Sequence, residues 1–166
     1  PIEGYGEDQF ILMATANGTV KKTPLMDFAR PRSSGLIAIE LEDDNTLIGA
    51  SVTDGASDVM LFSSGGRAIR FKEQDVRAMG RSARGVRGIK LRASEAVISL
   101  IIPNADGMLL LASQKGYGKR TPVEEFSVIG RGGQGVISMK LSERNGSLVG
   151  VAQVGSGFEV LLISDQ

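Results

Sequence analysis

The stretch Val59-Met-Leu-Phe-Ser-Ser-Gly-Gly-Arg-Ala-Ile-Arg-Phe71 reads as a β-hairpin. An apolar run from Val59 to Phe62 stops at a small, polar turn containing Gly65 and Gly66, and a second run, Arg67 to Phe71, returns. Short apolar runs bounded by glycine are strand signals, and a two-residue glycine turn between them is a hairpin signal. The pattern occurs twice more. Phe10–Ala14 turns at Asn17-Gly18 and returns through Thr19–Thr23, and Met108–Ala112 turns around Lys115-Gly116 and returns through Tyr117–Thr121. The turn glycines Gly18, Gly66 and Gly116 lie 48 and 50 residues apart. Self-similarity at such a period marks a repeat architecture.

The agreement continues downstream. Asp27-Phe28, Asp75-Val76 and Glu125-Phe126 correspond, and each is followed by a polar, basic loop that ends in Gly35, Gly85 or Gly135, spaced 50 and 50. A third strand is predicted over Gly35–Leu41, Gly85–Leu91 and Gly135–Leu141, and a fourth over Leu47–Val52, Val97–Ile102 and Leu148–Val154. No window has helical periodicity, so the class is all-β. Four strands in about 50 residues are the arithmetic of a propeller-like blade. Blades are expected over 10–52, 59–102 and 108–154, with part of a fourth over 158–166. One four-stranded sheet cannot bury both faces, so blades must pack on their neighbours. Three blades and a part do not close a ring. The chain is therefore expected to be a piece of a larger radial repeat, and Pro1 in place of methionine points the same way.

Composition narrows the chemistry. The 166 residues balance 19 Lys and Arg against 19 Asp and Glu, so the net charge is silent about polyanions. There is no Cys, which excludes disulfides, thiolate zinc sites and thiol catalysis, and no His, the commonest general base and metal ligand. No cofactor and no metal site is indicated. No apolar run approaches the ~18 residues of a membrane span, and no membrane partner is expected.

Charge is segregated within the neutral total. Between Arg67 and Arg92 nine basic residues face two acidic ones, Glu73 and Asp75, while acid gathers in Glu40-Leu-Glu-Asp-Asp44. The centre of the basic region is Ala78–Leu91, AMGRSARGVRGIKL, with Arg81, Arg84, Arg87 and Lys90, and with Arg77 just upstream. Glycine-rich backbone carrying guanidinium groups suits a phosphate chain, because arginine donates in a planar fork that matches phosphate oxygens. A solvated loop that only aids solubility is the bland alternative. Recurrence with the blades favours the first. Lys22, Arg70 and Arg120 are equivalent, as are Lys21 and Lys119 beside them. Arg70 and Lys72 alternate with Ile69 and Phe71, which predicts one basic and one packed face. Arg30 and Arg32, Arg81 and Arg84, and Arg131 share the inter-strand loop. Arg87 aligns with Ile37 and Ile137, a position expected to face a blade interior. Basic edges stacked around an axis would form a curved track that binds and bends duplex DNA without reading bases.

At these residues a family resemblance enters. MLFSSGGRAIRFKEQDVRAMGRSARGVRGIKL, GYGKRTPVEEF, GVISMKLSERNG and MATANGTVKKTPLMDF resemble the C-terminal domain of DNA gyrase A, over essentially the whole chain. The resemblance implies a β-pinwheel, a six-bladed disc whose neighbouring blades exchange a strand and whose rim wraps duplex DNA. It also implies a non-catalytic part of an ATP-hydrolysing type II topoisomerase that supercoils DNA. The remainder of gyrase A, together with gyrase B, are the implied partners in a heterotetramer, and the implied location is cytoplasmic. Topoisomerase IV carries a similar domain. The family's Q-R-R-G-G-K-G box is not present; Gly130-Arg-Gly-Gly-Gln-Gly135 resembles a degenerate copy with one Arg and with Gln134 in place of Lys.

Other patterns have local explanations. Gly130-x-Gly132-x-x-Gly135 matches a dinucleotide-binding pattern by letters, but a strand follows it where that motif needs a helix. Asn17-Gly-Thr19 and Asn145-Gly-Ser147 are turns before they are glycan acceptors. Tyr117 aligns with Thr19 and Arg67, a variable turn position with no activating neighbour in sight. A propeller-like interaction module that docks an acidic protein stays open as an alternative to DNA. Self-association is a further expectation, with Phe158–Ile163 completed by Phe10–Ala14 of its own chain or of a neighbour.

Overall fold

The computed structural model describes residues 4–163. Its regular structure is strand throughout, with three single 3₁₀ turns at Leu25–Phe28, Glu73–Asp75 and Val123–Glu125, so the all-β expectation holds. The hairpins are β1 (Phe10–Thr15) with β2 (Thr19–Pro24), β4 (Asp58–Ser63) with β5 (Arg67–Lys72), and β8 (Met108–Ser113) with β9 (Gly118–Pro122). The turns are longer than the two residues expected. Gly18 and Gly66 each close a three-residue loop, their N–H groups donating to Thr15 and Ser63 carbonyls at 3.0 Å. Both sit at positive φ, +88° and +76°. A third residue in the left-handed region gives the loop the twist of its strands.

The strands do not stay within their own repeats. β3 (Leu47–Thr53) lies on the far side of β1, and β6 (Val86–Arg87) joins β2, so the first sheet runs β3-β1-β2-β6. The second runs β10-β5-β4-β7, with β7 (Val97–Ile101) and β10 (Val136–Ile137). The third runs β11-β8-β9, with β11 (Leu148–Val154). Thus β6 and β10 each cross to the sheet of the preceding repeat. This is the strand exchange implied by the resemblance.

The crossing strands are shorter than predicted. After Val86 and Arg87 the chain leaves the ladder, because the N–H groups of Gly88 and Ile89 both donate to the Gly18 carbonyl at the neighbouring turn, at 2.8 and 3.2 Å. Ser138 and Met139 do the same to Gly66, at 2.8 and 3.2 Å. A side chain on Gly88 would meet Leu61 and Val20 methyls at 2.7 Å, so those two side chains would have to shift, whereas the third repeat accommodates Ser138 at the equivalent position. The predicted strand Gly35–Leu41 forms no ladder, since no described sheet precedes the first hairpin. Phe158–Ile163 also forms none and is exposed. The expected pairing of that segment with Phe10–Ala14 is overturned: β1 already has β2 on one edge and β3 on the other.

Two seams between sheets make the core. Leu12, Ala14 and Val20 of the first sheet meet Val59, Leu61, Ile69 and Phe71 of the second. Met60, Phe62 and Ala68 meet Leu109, Leu111, Val123 and Phe126 on the other side. β4 therefore buries alternate side chains in different seams, which explains why Val59–Phe62 is continuously apolar. Phe62 and Phe126 meet edge to face, with centroids 6.1 Å apart. β3, β7 and β11 lie side by side at one end of the sheets. β6 and β10 are at the other end, which makes their loops a rim.

Candidate nucleic-acid interface

The cations of the hairpins divide into two groups with different surroundings. Lys21 and Lys22 are buried, and Arg70 is nearly so. Lys22 Nζ donates to the Glu73 carbonyl at 3.2 Å, lies 3.9 Å from the Glu73 carboxylate, and covers the Phe10 ring at 4.9 Å. Glu73 is fully buried and accepts from Thr53 Oγ1 at 2.5 Å and from the Ser57 N–H at 3.3 Å. Arg70 repeats the reach one seam further on. Its Nη1 donates to the carbonyls of Val123 and Phe126, both at 3.0 Å, and Val123 opens its 3₁₀ turn just as Glu73 does. The backbone repeats too: Met79 donates to the Lys22 carbonyl at 2.9 Å and Ile129 to that of Arg70 at 2.8 Å.

These side chains are clasps between sheets, so the basic face read from Lys22 and Arg70 is a packed seam. Lys21 Nζ donates to the Ala38 carbonyl at 2.8 Å and to that of Arg81. Burial lowers its pKa, with help from the Arg81 charge and against the pull of Asp27. Asp58 anchors Arg70 Nη2 and Lys72 Nζ, both at 2.6 Å. Burial pushes the Asp58 carboxyl up, but the hydrogen bonds from Lys72 and Arg70 outweigh it and hold its pKa below the usual value. Taking Lys21, Lys22 and Arg70 as surface ligands is therefore corrected: a desolvated cation committed to carbonyls has no donor to offer outside. Lys72 is half-exposed but shared with Asp58. Lys119 and Arg120 occupy the clasp positions of the third sheet and are exposed, because no described sheet lies beyond β9.

The rim loops carry the second group. Arg81 Nη1 donates to the Ile37 carbonyl at 3.3 Å. Its equivalent Arg131 donates to the Arg87 carbonyl at 2.8 Å and, through Nε, to that of Asp75 at 2.9 Å. Both fasten one crossing segment to the next. Arg84 pairs with Glu40 at 2.8 Å and lies 3.9 Å from Glu42. Arg30, Arg32, Arg77 and Arg87 are exposed and form no ion pair among the described residues. Arg87 faces solvent, as do Ile37 and Ile137, so the expectation that this position looks into a blade is corrected. A two-residue edge strand has one face with no sheet above it.

Lys90, Lys140 and Arg92 are likewise exposed, and none of the three forms an ion pair among the described residues. Reading the loop from sequence does not single out Lys140 or Arg92, although the spacing of 50 between Lys90 and Lys140 is the available signal. Tyr117 sits exposed in its turn, where its hydroxyl accepts from Arg144 Nε at 2.8 Å. Among the described residues no group of acids could hold a metal ion, and no helix is long and apolar enough to cross a membrane. What this rim offers chemically is guanidinium and ammonium groups on anchored backbone, next to a hollow bordered by Arg81, Ser82 and Asp27.

Known proteins share this architecture. The family described as DNA gyrase C-terminal domain, beta-propeller, matches residues 9–54, 57–104 and 107–154. The DNA gyrase A protein of Pseudomonas aeruginosa is 59% identical over 157 residues, which cover 95% of this chain and 17% of that protein. The DNA gyrase A protein of Escherichia coli K12 is 50% identical over 165 residues, 99% of this chain and 19% of that protein. The chain thus spans about a fifth of the length of these curated relatives. Among solved structures, the C-terminal domain of DNA topoisomerase IV superposes with a TM-score of 0.86 at 29% identity, over 93% of this chain and 49% of that one. The DNA gyrase A C-terminal domain superposes with a TM-score of 0.82, also at 29% identity, over 93% and 52%. With three successive repeats matched, the chain belongs to the DNA gyrase C-terminal domain family.

Proposed function

We propose that this chain binds duplex DNA through its phosphates, with little sequence preference, and bends it along the rim. In its parent it serves as a non-catalytic, DNA-wrapping part of gyrase A. There it supports ATP-dependent negative supercoiling alongside the rest of gyrase A and its partner gyrase B, in the cytoplasm. The observation that carries this reading is the set of exposed cations in the recurrent rim segments that form no ion pair among the described residues: Arg77, Arg87, Lys90, Arg92 and Lys140, with Arg30 and Arg32 in the first repeat. Their anchoring supports it. β6 holds Arg87 in register against Thr19, so the guanidinium starts from fixed backbone. Sheets stacked about a common edge turn such groups through an arc, and an arc of phosphate contacts stabilises bent DNA.

The test is salt dependence. Log affinity for a mixed-sequence duplex should fall linearly with log salt, with a slope of about 0.9 per phosphate neutralised. Arg87→Ala and Lys90→Ala should each weaken binding to all sequences alike and reduce the slope by about one. Binding that follows sequence, or no binding at low salt, would refute the proposal. If an acidic protein bound in place of DNA, the same edge would serve as an interaction module.

A further inference from the structure

One stretch of the rim carries opposite charge in successive repeats. Lys90 and Lys140 are equivalent at the sixth position of the segments that open with Gly85 and Gly135, and the first repeat puts Glu40 there. Two residues on, Arg92 of the second repeat is matched by Glu42. The first repeat thus reverses the sign of both positions. The reversal is not left to solvent. Arg84 Nε and Nη2 donate to Glu40 Oε1 at 3.2 and 2.8 Å, and Arg84 Nη1 lies 3.9 Å from Glu42. The pKa of Arg84 is raised by its hydrogen bond to Glu40 and by the charges of Glu40 and Glu42. All three side chains remain more than half exposed, and the pair borders a polar hollow shared with Arg87.

The two sides of this contact are held differently. Arg84 stands in a loop fixed at one end by Met79 bonding to Lys22 and at the other by β6. The acidic segment is held at Ile37 and Ala38 through their carbonyls, but from Glu40 to Glu42 it belongs to no sheet. The carboxylates can therefore leave without breaking a ladder.

We propose that Glu40 and Glu42 are an acidic latch that occupies Arg84 in the free protein, so that duplex DNA engages this loop only by displacing them. This rests on the DNA-binding reading and adds regulation to it. A phosphate and a carboxylate compete for the same planar fork. The latch makes Arg84 a conditional ligand: weak contacts to other polyanions leave it closed, while a duplex held by Arg77, Arg87 and Lys90 delivers a phosphate at high local concentration.

The experiment measures the affinity of a fluorescent duplex over a salt series for four variants of the whole chain. E40Q/E42Q opens the latch. D43N/D44N removes the same charge from the same run without touching Arg84, and Asn suits the positive φ of Asp44. Each is made with Arg84 and with Arg84→Ala. The latch predicts that E40Q/E42Q binds about two- to fivefold tighter near 0.1 M salt, the scale of an exposed ion pair. It also predicts a salt slope steeper by about one. D43N/D44N should gain less, with its slope unchanged, and in the Arg84→Ala background the two double variants should be equal. Equal gains with Arg84 present would mean bulk charge alone and would overturn the latch while DNA binding stands. No binding by any variant would overturn the DNA reading and the latch with it.

Discussion

Arg70 and Arg120 hold the same repeat position, Arg70 with a sheet beyond it and Arg120 with none among the described residues, which makes a controlled experiment. Arg70→Ala removes two hydrogen bonds to the carbonyls of Val123 and Phe126 across the second seam and leaves Asp58 to Lys72. Arg70 and Asp58 side chains are 14% and 12% exposed, so water does not replace those donors readily. Breaking a buried charged pair costs about 3–5 kcal/mol, and the retained Lys72 contact puts the loss at the lower end, about 3 kcal/mol. In a domain of this size that lowers the melting temperature by roughly 6–12 °C. Arg120→Ala removes an exposed side chain and should leave stability within the scatter of surface substitutions. Urea and thermal unfolding followed by circular dichroism would measure both. DNA affinity of the folded Arg70→Ala protein should stay within about twofold of the parent, since a clasp contacts no phosphate. If Arg70→Ala unfolds like the parent but loses DNA affinity and salt slope, the clasp assignment is wrong and the hairpin face is a binding surface after all.

Backbone geometry supports a second contrast. Gly135 has φ +69°, and a Cβ there would collide with the Ala68 carbonyl oxygen, whereas Gly133 two residues earlier has open space. Gly135→Ala should therefore cost about 2–3 kcal/mol by releasing β10 from the second sheet, while Gly133→Ala is tolerated; thermal unfolding distinguishes them. Acid stability tests the electrostatics of Asp58. Its folded pKa lies below the unfolded one, so its contribution is complete above the unfolded value and disappears as pH falls through the folded value. Stability should thus decline below about pH 4, and Asp58→Asn should flatten that part of the curve in urea titrations at a series of pH values.

Much of the fold was legible in the chain because its causes are local. Turn glycines at Gly18, Gly66 and Gly116 and apolar runs such as Val59–Phe62 specify hairpins through the conformations of a few residues. Their recurrence at a fixed period carries the repeat architecture, and the charge pattern of the basic loop carries the candidate interface. What only the tertiary structure decided is which sheet each segment joins. Val86 and Arg87 pair with β2 of the preceding repeat, and the ladder ends after two residues because the Gly18 carbonyl takes the next two N–H groups. Neither fact is local to residues 85–91. The same limit explains the lysines. Strand alternation tells which face Lys22 and Arg120 share, but not what stands across from it. A neighbouring sheet desolvates Lys22 and supplies Glu73, while Arg120 faces open space. Repeat equivalence equates positions along the chain, whereas burial and hydrogen-bond partners belong to the space around them, and that space is set by packing between repeats.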